Sequence, residues 1–481
     1  MRFALALVAA LATASPAQAR DSADLLIRGA SVVDVAHGRI LRRQSVAVRG
    51  DSIIAIGPDR AINRRFRAKR SVEATGKFVM PGLWDMHVHF GGGPELIAEN
   101  KALLPLYVAY GVTTVRDCAA DISSSVIEWR DGIAKGQLLG PTLFTSGPKL
   151  EGYKPIWKGT LEVGTPTEVN AALDKLQGMH VDFVKITDNT LKPDTFLYAV
   201  KEAKRRGLRT SAHTPYALTI DEAVDAGLSS IEHIDYLIKA GSPKEAEIGA
   251  SYAAGKLSYA DASNAFVNTF DAAYAREAYR RLSAKGVYVT PTLNMGRILA
   301  FLDREDHSKD EGLAYIGPGL RKTYDWRIER AAKATPAQVA ARHKEHELSM
   351  EVLPMLEAAH IPILAGTDAG YLNSFNYPGE GLHDEIELYV KAGLSPQQAL
   401  ASSVLTGPKF LGHAERYGSV APGKTADLLI LDANPLQSVA ATRKISAVVL
   451  RGRLIDRKAL DKLLADAKIR AAPIRLQAET N

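Results

Sequence analysis

The sequence has one cysteine, Cys118, among its 481 residues. A chain with a single thiol cannot form an intramolecular disulfide, and it cannot supply the several thiolates of a metal cluster. An intramolecular disulfide and a metal cluster of several thiolates are therefore both excluded.

The sequence also lacks a concentrated charge of one sign. The formal net charge is +6, from 60 basic and 54 acidic residues, and the two signs are interleaved apart from short clusters such as Arg64–Arg70. Nucleic-acid-binding proteins usually concentrate basic residues in one patch or stripe. The sequence therefore predicts a solvated basic surface and no nucleic-acid partner.

The N-terminal apolar run, from Phe3 to about Ala14, is too short to cross a bilayer. It follows Arg2 and precedes Ala17-Gln18-Ala19, which is the charged, apolar and small-residue order of a secretory signal peptide. We predict that residues 1–19 are removed by cleavage after Ala19. The mature protein is then expected to be periplasmic or secreted, without a stable membrane anchor.

Alternating apolar segments organise the rest of the chain. Short β-branched runs over 24–57 and 425–456 predict strands at both ends, which suggests one small β-sandwich domain built from residues 20–78 and 416–481. Between them, eight apolar runs alternate with helical patterns and predict an α/β fold, a (β/α)8 TIM barrel, over residues 79–415. Two charged, helical insertions, about 239–282 and 300–353, are expected over the C-terminal face of the barrel.

The stretch GLWDMHVHF, residues 82–90, contains two histidines in a predicted strand. Side chains two positions apart on a strand share a face, so His87 and His89 should point the same way. The spacing alone leaves two interpretations open. One is a pair of hydrogen-bonded core histidines, and the other is half of a metal site.

Four other polar residues lie within or at the ends of the predicted barrel strands. Lys185 is in the fourth, His213 and His233 end the fifth and sixth, and Asp368 ends the eighth. Barrel enzymes carry their catalytic groups at the C-terminal ends of the strands, so these side chains are expected to converge. Imidazole and carboxylate ligands suit zinc or a similar divalent ion. A lysine buried among them is expected to be neutral or chemically modified, for example as a carbamate.

Three further residues are weaker candidates. His383 heads an acidic helix shortly after Asp368 and could orient the substrate, although a surface histidine at a helix start is an equally good interpretation. Tyr216 and Tyr153 lie in loops after the fifth and third predicted strands. They could hydrogen-bond a substrate carboxylate or oxyanion, but loop tyrosines often only pack against their neighbours.

These motifs resemble the amidohydrolase superfamily from about Leu25 to Asp456. The resemblance rests on VMPGLWDMHVHF (79–90), the strand-four lysine, the strand-five and strand-six histidines, GTDAG (366–370) and ADLLILDANP (426–435). The helix region 381–412 is most similar to the imidazolonepropionase-like branch, which includes Xaa-Pro dipeptidases. Deaminases of the superfamily carry a catalytic glutamate where this chain has Tyr216, so a binuclear hydrolase is favoured over a deaminase.

The resemblance implies a role for each matching residue. His87, His89 and Asp368 would hold one divalent metal ion, and His213 and His233 would hold the second. Carbamylated Lys185 would bridge the two ions, for which zinc is the default. Asp368 would act as general base towards a metal-bridging hydroxide and then as general acid towards the leaving amine.

The sequence thus predicts an exported, metal-dependent amidohydrolase that cleaves a C–N bond in a dipeptide or an N-acyl amino acid. Two alternatives remain open at this point. The same binuclear centre could hydrolyse a lactone, carbamate or phosphotriester, or the barrel could bind metal without catalysis. The protein is expected to act on a small molecule and could form a homo-oligomer, as members of the family often do.

Overall fold

The computed structural model describes residues 20–119 and 121–479. The predicted signal peptide lies outside the described residues. Among the helices of these two ranges, none is both long enough and apolar enough to cross a membrane.

Strands from both ends of the chain form one mixed sheet. They are β1 (Asp21–Asp34), β2 (Arg39–Arg49), β3 (Ser52–Pro58), β4 (Phe66–Glu73) and β5 (Phe78–Pro81) from the N-terminal part, and β16 (Leu428–Leu431), β17 (Ile445–Leu450) and β18 (Arg453–Asp456) from the C-terminal part. Their order is β18-β17-β16-β5-β1-β2-β3, and β4 pairs with the first half of β1. The two chain ends therefore meet at the β5–β16 pair.

One face of this terminal sheet has its own apolar core. Alternate residues such as Leu25 and Ile27 of β1 and Leu428 and Ile430 of β16 form a cluster separate from the main core of the protein. The opposite face of β16, with Leu429 and Leu431, belongs to the main core instead. Because neighbouring residues of β16 point to opposite faces, this strand packs against both cores and joins the sheet to the rest of the molecule.

The middle of the chain contains two parallel sheets. Their strands are β6 (Leu83–His89), β7 (Val112–Asp117), β8 (Thr142–Thr145), β9 (Leu150–Glu151), β10 (Leu161–Glu162), β11 (Val184–Ile186), β12 (Thr210–Ala212), β13 (Ser230–Glu232), β14 (Tyr288–Thr290) and β15 (Ala369–Gly370). One sheet has the order β10-β9-β11-β12-β13-β14 and the other β15-β6-β7-β8. Every pairing within them is parallel. An α/β architecture with parallel strands is thereby confirmed.

Seven of the eight predicted barrel strands coincide with β6, β7, β8, β11, β12, β13 and β14. The eighth run, 361–368, contributes a parallel bridge from Ile363 to Val289, and β15 continues it beside β6. This run also links the two sheets, because the amide of Met86 donates to the carbonyl of Ala365. On the other side, the amide of Asp182 donates to the carbonyl of Thr145. The short strands β9 and β10 were not predicted.

Helices occupy most of the segments between these strands. They are α1 (Asp59–Arg65), α2 (Ile97–Ala109), α3 (Ser123–Ala134), α4 (Pro166–Gly178), α5 (Pro193–Arg205), α6 (Ile220–Ala226), α7 (Asp235–Ala240), α8 (Glu245–Ala253), α9 (Tyr259–Thr269), α10 (Ala272–Ala284), α11 (Leu293–Phe301), α12 (Pro318–Lys322), α13 (Asp325–Ala332), α14 (Pro336–Ala358), α15 (Glu380–Lys391), α16 (Pro396–Val404), α17 (Thr406–Phe410) and α18 (Arg457–Glu479), with short 3-10 turns at Pro94–Leu96, Glu311–Tyr315 and Val439–Arg443. Five of the α-helices begin with a reciprocal capping box, at Thr165, Thr219, Ser258, Thr335 and Ser395. In each box the cap hydroxyl accepts the N3 amide, which satisfies an otherwise unpaired donor.

The two predicted insertions are helical. Helices α7 to α10 follow β13, and α11 to α14 follow β14. In the second insertion, Arg327 of α13 donates from Nε to the carbonyl of Leu372, at 3.0 Å. Leu372 lies just after Asp368, so this insertion reaches the carboxyl ends of the parallel strands.

Candidate active site

His87 and His89 leave β6 on the same side, as the strand period requires. Their Nε2 atoms are 3.2 Å apart. Every residue of β6 except His89 is buried, because both faces of this parallel strand are covered. The pair therefore lies at the buried end of a central strand.

Asp368 joins this pair from the loop before β15. Its Oδ1 is 3.0 Å from Nε2 of His89 and 3.5 Å from Nε2 of His87. The amide of Asp368 donates to the carbonyl of His87 at 2.7 Å, and its backbone adopts a left-handed conformation with φ of 63°. Left-handed backbone is unusual for a residue other than glycine and is common at functional sites. We call His87, His89 and Asp368 the first ligand group.

A second cluster lies beside the first. Nε2 of His213, after β12, is 3.0 Å from Nε2 of His233, after β13. The ring centroids of His233 and His87 are 5.1 Å apart. Lys185, in the centre of β11, points into the same interior and is 1% exposed. We call His213, His233 and Lys185 the second ligand group.

The hydrogen-bond partners of the Nδ1 atoms determine which ring nitrogen of each histidine carries the proton. Nδ1 of His87 is 2.7 Å from a carboxylate oxygen of Glu232, and Nδ1 of His89 is 2.9 Å from the carbonyl of Ala119. Both partners only accept, so both Nδ1 atoms donate. Nδ1 of His233 contacts the hydroxyl of Thr292 at 2.7 Å, and that hydroxyl also contacts the carbonyl of Pro291, so it accepts from His233.

Neutral rings with these tautomers have bare Nε2 atoms. Burial is the main cause that lowers the pKa of His87 and of His213 well below the usual range. Burial lowers the pKa of His233 to about 4. The Nε2 lone pairs face one another and the Asp368 carboxylate, and no proton lies between them. A bound cation would relieve the resulting repulsion. The ligand atoms of the first group all lie within 4.8 Å of one another, and such a nitrogen and oxygen set fits a divalent metal ion.

Lys185 gives a second indication of the same kind. Its Nζ is buried and has no hydrogen-bond partner among the described residues. A buried ammonium without partners is costly, because the charge has lost its hydration. The position therefore fits a lysine whose nitrogen is modified and whose new oxygens bind metal, as the carbamate prediction requires.

Two charged residues that support His87 were not singled out from the sequence. Arg116 of β7 donates from Nη2 to both oxygens of Glu232, at 3.0 and 2.9 Å, and Glu232 in turn accepts from His87. All three side chains are fully buried. Burial opposes ionisation of Glu232, but Arg116 and His87 lower its pKa well below the usual range. An arginine inside the apolar run VTTVRD was the available signal, since arginine is almost never fully buried without a partner.

A second supporting contact was also missed. Asp85 accepts from the amide and the hydroxyl of Thr367, at 3.0 and 2.8 Å, and from the amide of His87 at 3.2 Å. It therefore ties β6 to the segment that ends in Asp368. Burial raises the pKa of Asp85 to about 7. The alternation of Asp85 with His87 and His89 in WDMHVH indicates that all three point inwards.

The three weaker candidates do not contact either ligand group. His383 is buried, with Nδ1 2.8 Å from the hydroxyl of Thr442 and Nε2 2.9 Å from the carbonyl of Tyr110. Tyr153 is 52% exposed, and its hydroxyl donates to Glu168. The structure brings neither residue to the ligand groups.

Tyr216 lies one aromatic ring away from the second ligand group. Its ring packs edge-on against Tyr236 at 6.1 Å, and Tyr236 stacks on His213 at 6.2 Å. Tyr216 also stacks on Tyr259, from the first insertion, at 4.4 Å. It therefore belongs to the aromatic wall beside His213.

Comparison with known proteins agrees with this geometry. Residues 78–455 match the sequence model of the amidohydrolase family, whose members are generally metal-dependent. The ochratoxinase of Aspergillus niger is 23% identical over 482 aligned residues, covering 89% of this chain and 85% of that protein. The imidazolonepropionase of Chloroflexus aggregans is 46% identical over 60 residues, which are 12% of this chain and 14% of that protein.

A solved structure has the same fold over most of its length. The structure of a Xaa-Pro dipeptidase with methionine bound in its active site has a TM-score of 0.64 at 21% identity, covering 90% of this chain and 99% of that chain. The family match extends over more than half of the sequence and includes both ligand groups. The protein belongs to the amidohydrolase family and is a hydrolase acting on carbon–nitrogen bonds.

Proposed function

We propose that this protein is an exported amidohydrolase that uses two divalent metal ions, zinc by default, to cleave an amide bond in a dipeptide or an N-acyl amino acid. The bare Nε2 atom of His87, which faces His89 and Asp368, is the observation that carries the proposal. In this proposal the two parallel sheets form one closed (β/α)8 barrel, and the terminal sheet forms the β-sandwich domain.

The first ligand group would hold one ion, and His213 and His233 would hold the other. Carbamylated Lys185 would bind between them, which accounts for an ammonium position without a partner among the described residues. When bound, the metal ions would polarise the scissile carbonyl and lower the pKa of the attacking water.

Asp368 is the proton carrier in this proposal. Burial raises the pKa of the Asp368 carboxyl, but the nearby His89, His87 and His233 lower it by more, so the pKa lies below its usual range. An ionised Asp368 accepts the proton of the attacking water and returns it to the leaving nitrogen. The hydrogen bond from the Asn373 side chain to the Asp368 carbonyl keeps the residue in its left-handed conformation.

Residues outside the ligand groups fix the geometry. Glu232, held by Arg116, keeps the proton of His87 on Nδ1, and Asp85 connects His87 with the Asp368 segment. Partners of this kind orient metal-binding histidines and raise their basicity.

The substrate class comes from the chemistry and from the relatives. Ochratoxinase and Xaa-Pro dipeptidase, by their names, act on ochratoxin and on dipeptides ending in proline. We infer a small-molecule substrate with an amide bond for this chain. The predicted signal peptide supports action in the periplasm or outside the cell, and a homo-oligomer is part of the same proposal.

The test is a hydrolysis screen of metal-loaded protein with dipeptides, N-acyl amino acids, lactones, carbamates and phosphotriesters. We expect turnover of amides, complete loss after chelation, and a loss of about 10²- to 10⁴-fold in Asp368→Asn. Metal analysis should give at least one divalent ion per chain, in keeping with the first ligand group. Rapid turnover of esters with no turnover of amides would overturn the amide assignment, and a protein that binds no divalent ion would overturn the metal centre.

A further inference from the structure

Lys149 is a second buried lysine at the carboxyl end of the parallel sheet. It directly precedes β9, whose Leu150 pairs with Ile186 of β11, so the parallel register places Lys149 beside Lys185. Side chains in register on neighbouring parallel strands share a face. Lys149 therefore faces the same interior as the two ligand groups, and it is 7% exposed.

The Lys149 ammonium makes no ion pair within residues 20–119 and 121–479. Its described neighbour is the indole ring of Trp157, with Nζ 4.8 Å from the ring centroid. Lys185 and the carboxylates of Glu151, Asp368 and Asp117 act on the ammonium electrostatically, but none of them forms an ion pair with it. A buried cation normally has a carboxylate or another anion beside it.

The indole N–H of the neighbouring Trp157 lacks a hydrogen-bond partner among the described residues. Nε1 of Trp157 is buried, and in the described part of the chain it has no acceptor. The unpaired indole N–H and the nearby Lys149 ammonium, which makes no ion pair with the described residues, together match the two oxygens of a carboxylate. Neutral ligands would leave the ammonium unpaired.

The second insertion adds a positive charge at this place. The rings of Trp157 and Trp326 are 6.5 Å apart, and the guanidinium of Arg327 lies 5.2 Å from the Trp326 ring. Nη2 of Arg327 donates to Asn373, whose side chain in turn donates to the carbonyl of Asp368. Lys149, Trp157, Trp326 and Arg327 thus form one continuous group that leads from β9 to the Asp368 segment.

We propose that Lys149 and Trp157 bind the carboxylate of the substrate, and that Arg327 contributes attraction at longer range. The inference rests on the proposed function, and it specifies the substrate class further: the amide should belong to an amino acid with a free carboxylate. An N-acyl amino acid and a dipeptide both satisfy this requirement, whereas the corresponding carboxamides do not.

The test uses the N-acetyl amino acid that the screen finds fastest, together with its carboxamide. Wild-type protein should prefer the acid. Lys149→Met should raise KM for the acid about 10- to 100-fold while changing the carboxamide little, because a charge-assisted hydrogen bond of ordinary strength is lost. Lys149→Arg should recover part of the preference. Lys158→Met, at an exposed lysine of the same segment, is the matched control and should behave as wild type.

Two further measurements separate the possible failures. Thermal stability of Lys149→Met should equal or exceed that of wild type, because the variant removes a buried charge without a partner. Calorimetric binding of the same acid to Asp368→Asn protein should weaken about 10- to 100-fold when Lys149→Met is added, even if the reaction proposed above is wrong. Equal losses for acid and carboxamide, or no loss in binding, would overturn the carboxylate site and leave the proposed function standing. If the protein binds the acid with the expected dependence on Lys149 but turns over no amide, the proposed function would be overturned and the carboxylate site would stand.

Discussion

The two ligand groups differ in how completely the protein builds them. In the first, Nδ1 of His87 and Nδ1 of His89 donate over 2.7 and 2.9 Å, and Asp368 supplies an anionic oxygen. In the second, Nδ1 of His233 donates to Thr292 over 2.7 Å, but the acceptor near Nδ1 of His213 is the Asp188 carboxylate, at 3.9 Å. Its third member is a lysine, which offers no anionic ligand unless it is modified.

This difference predicts an order of metal binding. The first group has two oriented imidazoles and a carboxylate, so it should bind a divalent ion with the side chains as they are. The second group has two imidazoles next to a positive charge and needs the carbamate before it can bind an ion well. In the proposed centre, a preformed site and a conditional site would therefore share one interior.

Replacing Lys185 should break the conditional site and leave the preformed one. Lys185→Met is expected to reduce bound metal from about two ions to about one per chain and to lower kcat about 10²-fold or more. Short carboxylic acids such as propionate should restore part of the bound metal and part of kcat, because their oxygens replace those of the lost carbamate. Metal analysis and turnover with and without propionate measure this, and Lys192→Met, an exposed lysine on the adjacent segment, is the control. Near wild-type turnover in Lys185→Met would refute the bridge.

The contrast between the sites also explains what could be predicted from the sequence. His87, His89, His213, His233 and Asp368 were found because strand period and strand ends determine which side chains converge. Their neighbours at the site depend on which strands pair. Glu232 reaches His87 only because β13 and β6 face each other across the interior, and no local pattern specifies that contact.

The terminal sheet gives the same lesson at the level of the fold. Its strands were expected from alternating apolar residues, and strands β5 and β16 from the two chain ends pair in the structure. Its arrangement as one hydrogen-bonded sheet depends on register, which alternation does not determine. The short strands β9 and β10 were missed because two-residue strands have no period to detect.

Replacing Glu232 should weaken the preformed site selectively. Glu232→Gln removes the charge that holds the His87 proton on Nδ1, and we expect metal affinity of the first group to fall about 10- to 100-fold. The change also leaves the Arg116 charge without its carboxylate, so the free energy of unfolding should drop by about 3 kcal/mol. Competition with a metal-sensitive chelator, on protein shown to be folded by circular dichroism, measures the affinity.

The control for this variant is Glu247→Gln, at an exposed glutamate. It should change neither metal affinity nor stability. Equal affinity of Glu232→Gln and wild type would mean that Asp368 and the imidazoles orient themselves without the Arg116–Glu232 pair. The preformed character of the first group would then have to come from its other contacts, such as those of Asp85 with Thr367 and of His89 with Ala119.

The smallest effect on activity is expected at His383, a histidine whose two nitrogens are both occupied outside the ligand groups. Burial lowers the pKa of His383 to about 3, whereas an unfolded histidine titrates near 6.5. Between these values the unfolded state binds a proton that the folded state does not, so stability falls as the pH falls through this window. The contribution of His383 is about 1 kcal/mol per pH unit.

His383→Gln should therefore leave kcat close to wild type and remove one part of the acid sensitivity. The overall stability of the variant should be lower by about 1 to 3 kcal/mol, because the contacts to Thr442 and Tyr110 are altered. Urea unfolding at several pH values from 6.5 to 4 gives the slope for each protein, and His180→Gln, at an exposed histidine, should keep the wild-type slope. Parallel profiles for wild type and His383→Gln would contradict the buried neutral state. A large loss of kcat at neutral pH would instead mean that His383 acts on the reaction, and the distinction between histidines that face the interior and those that do not would fail.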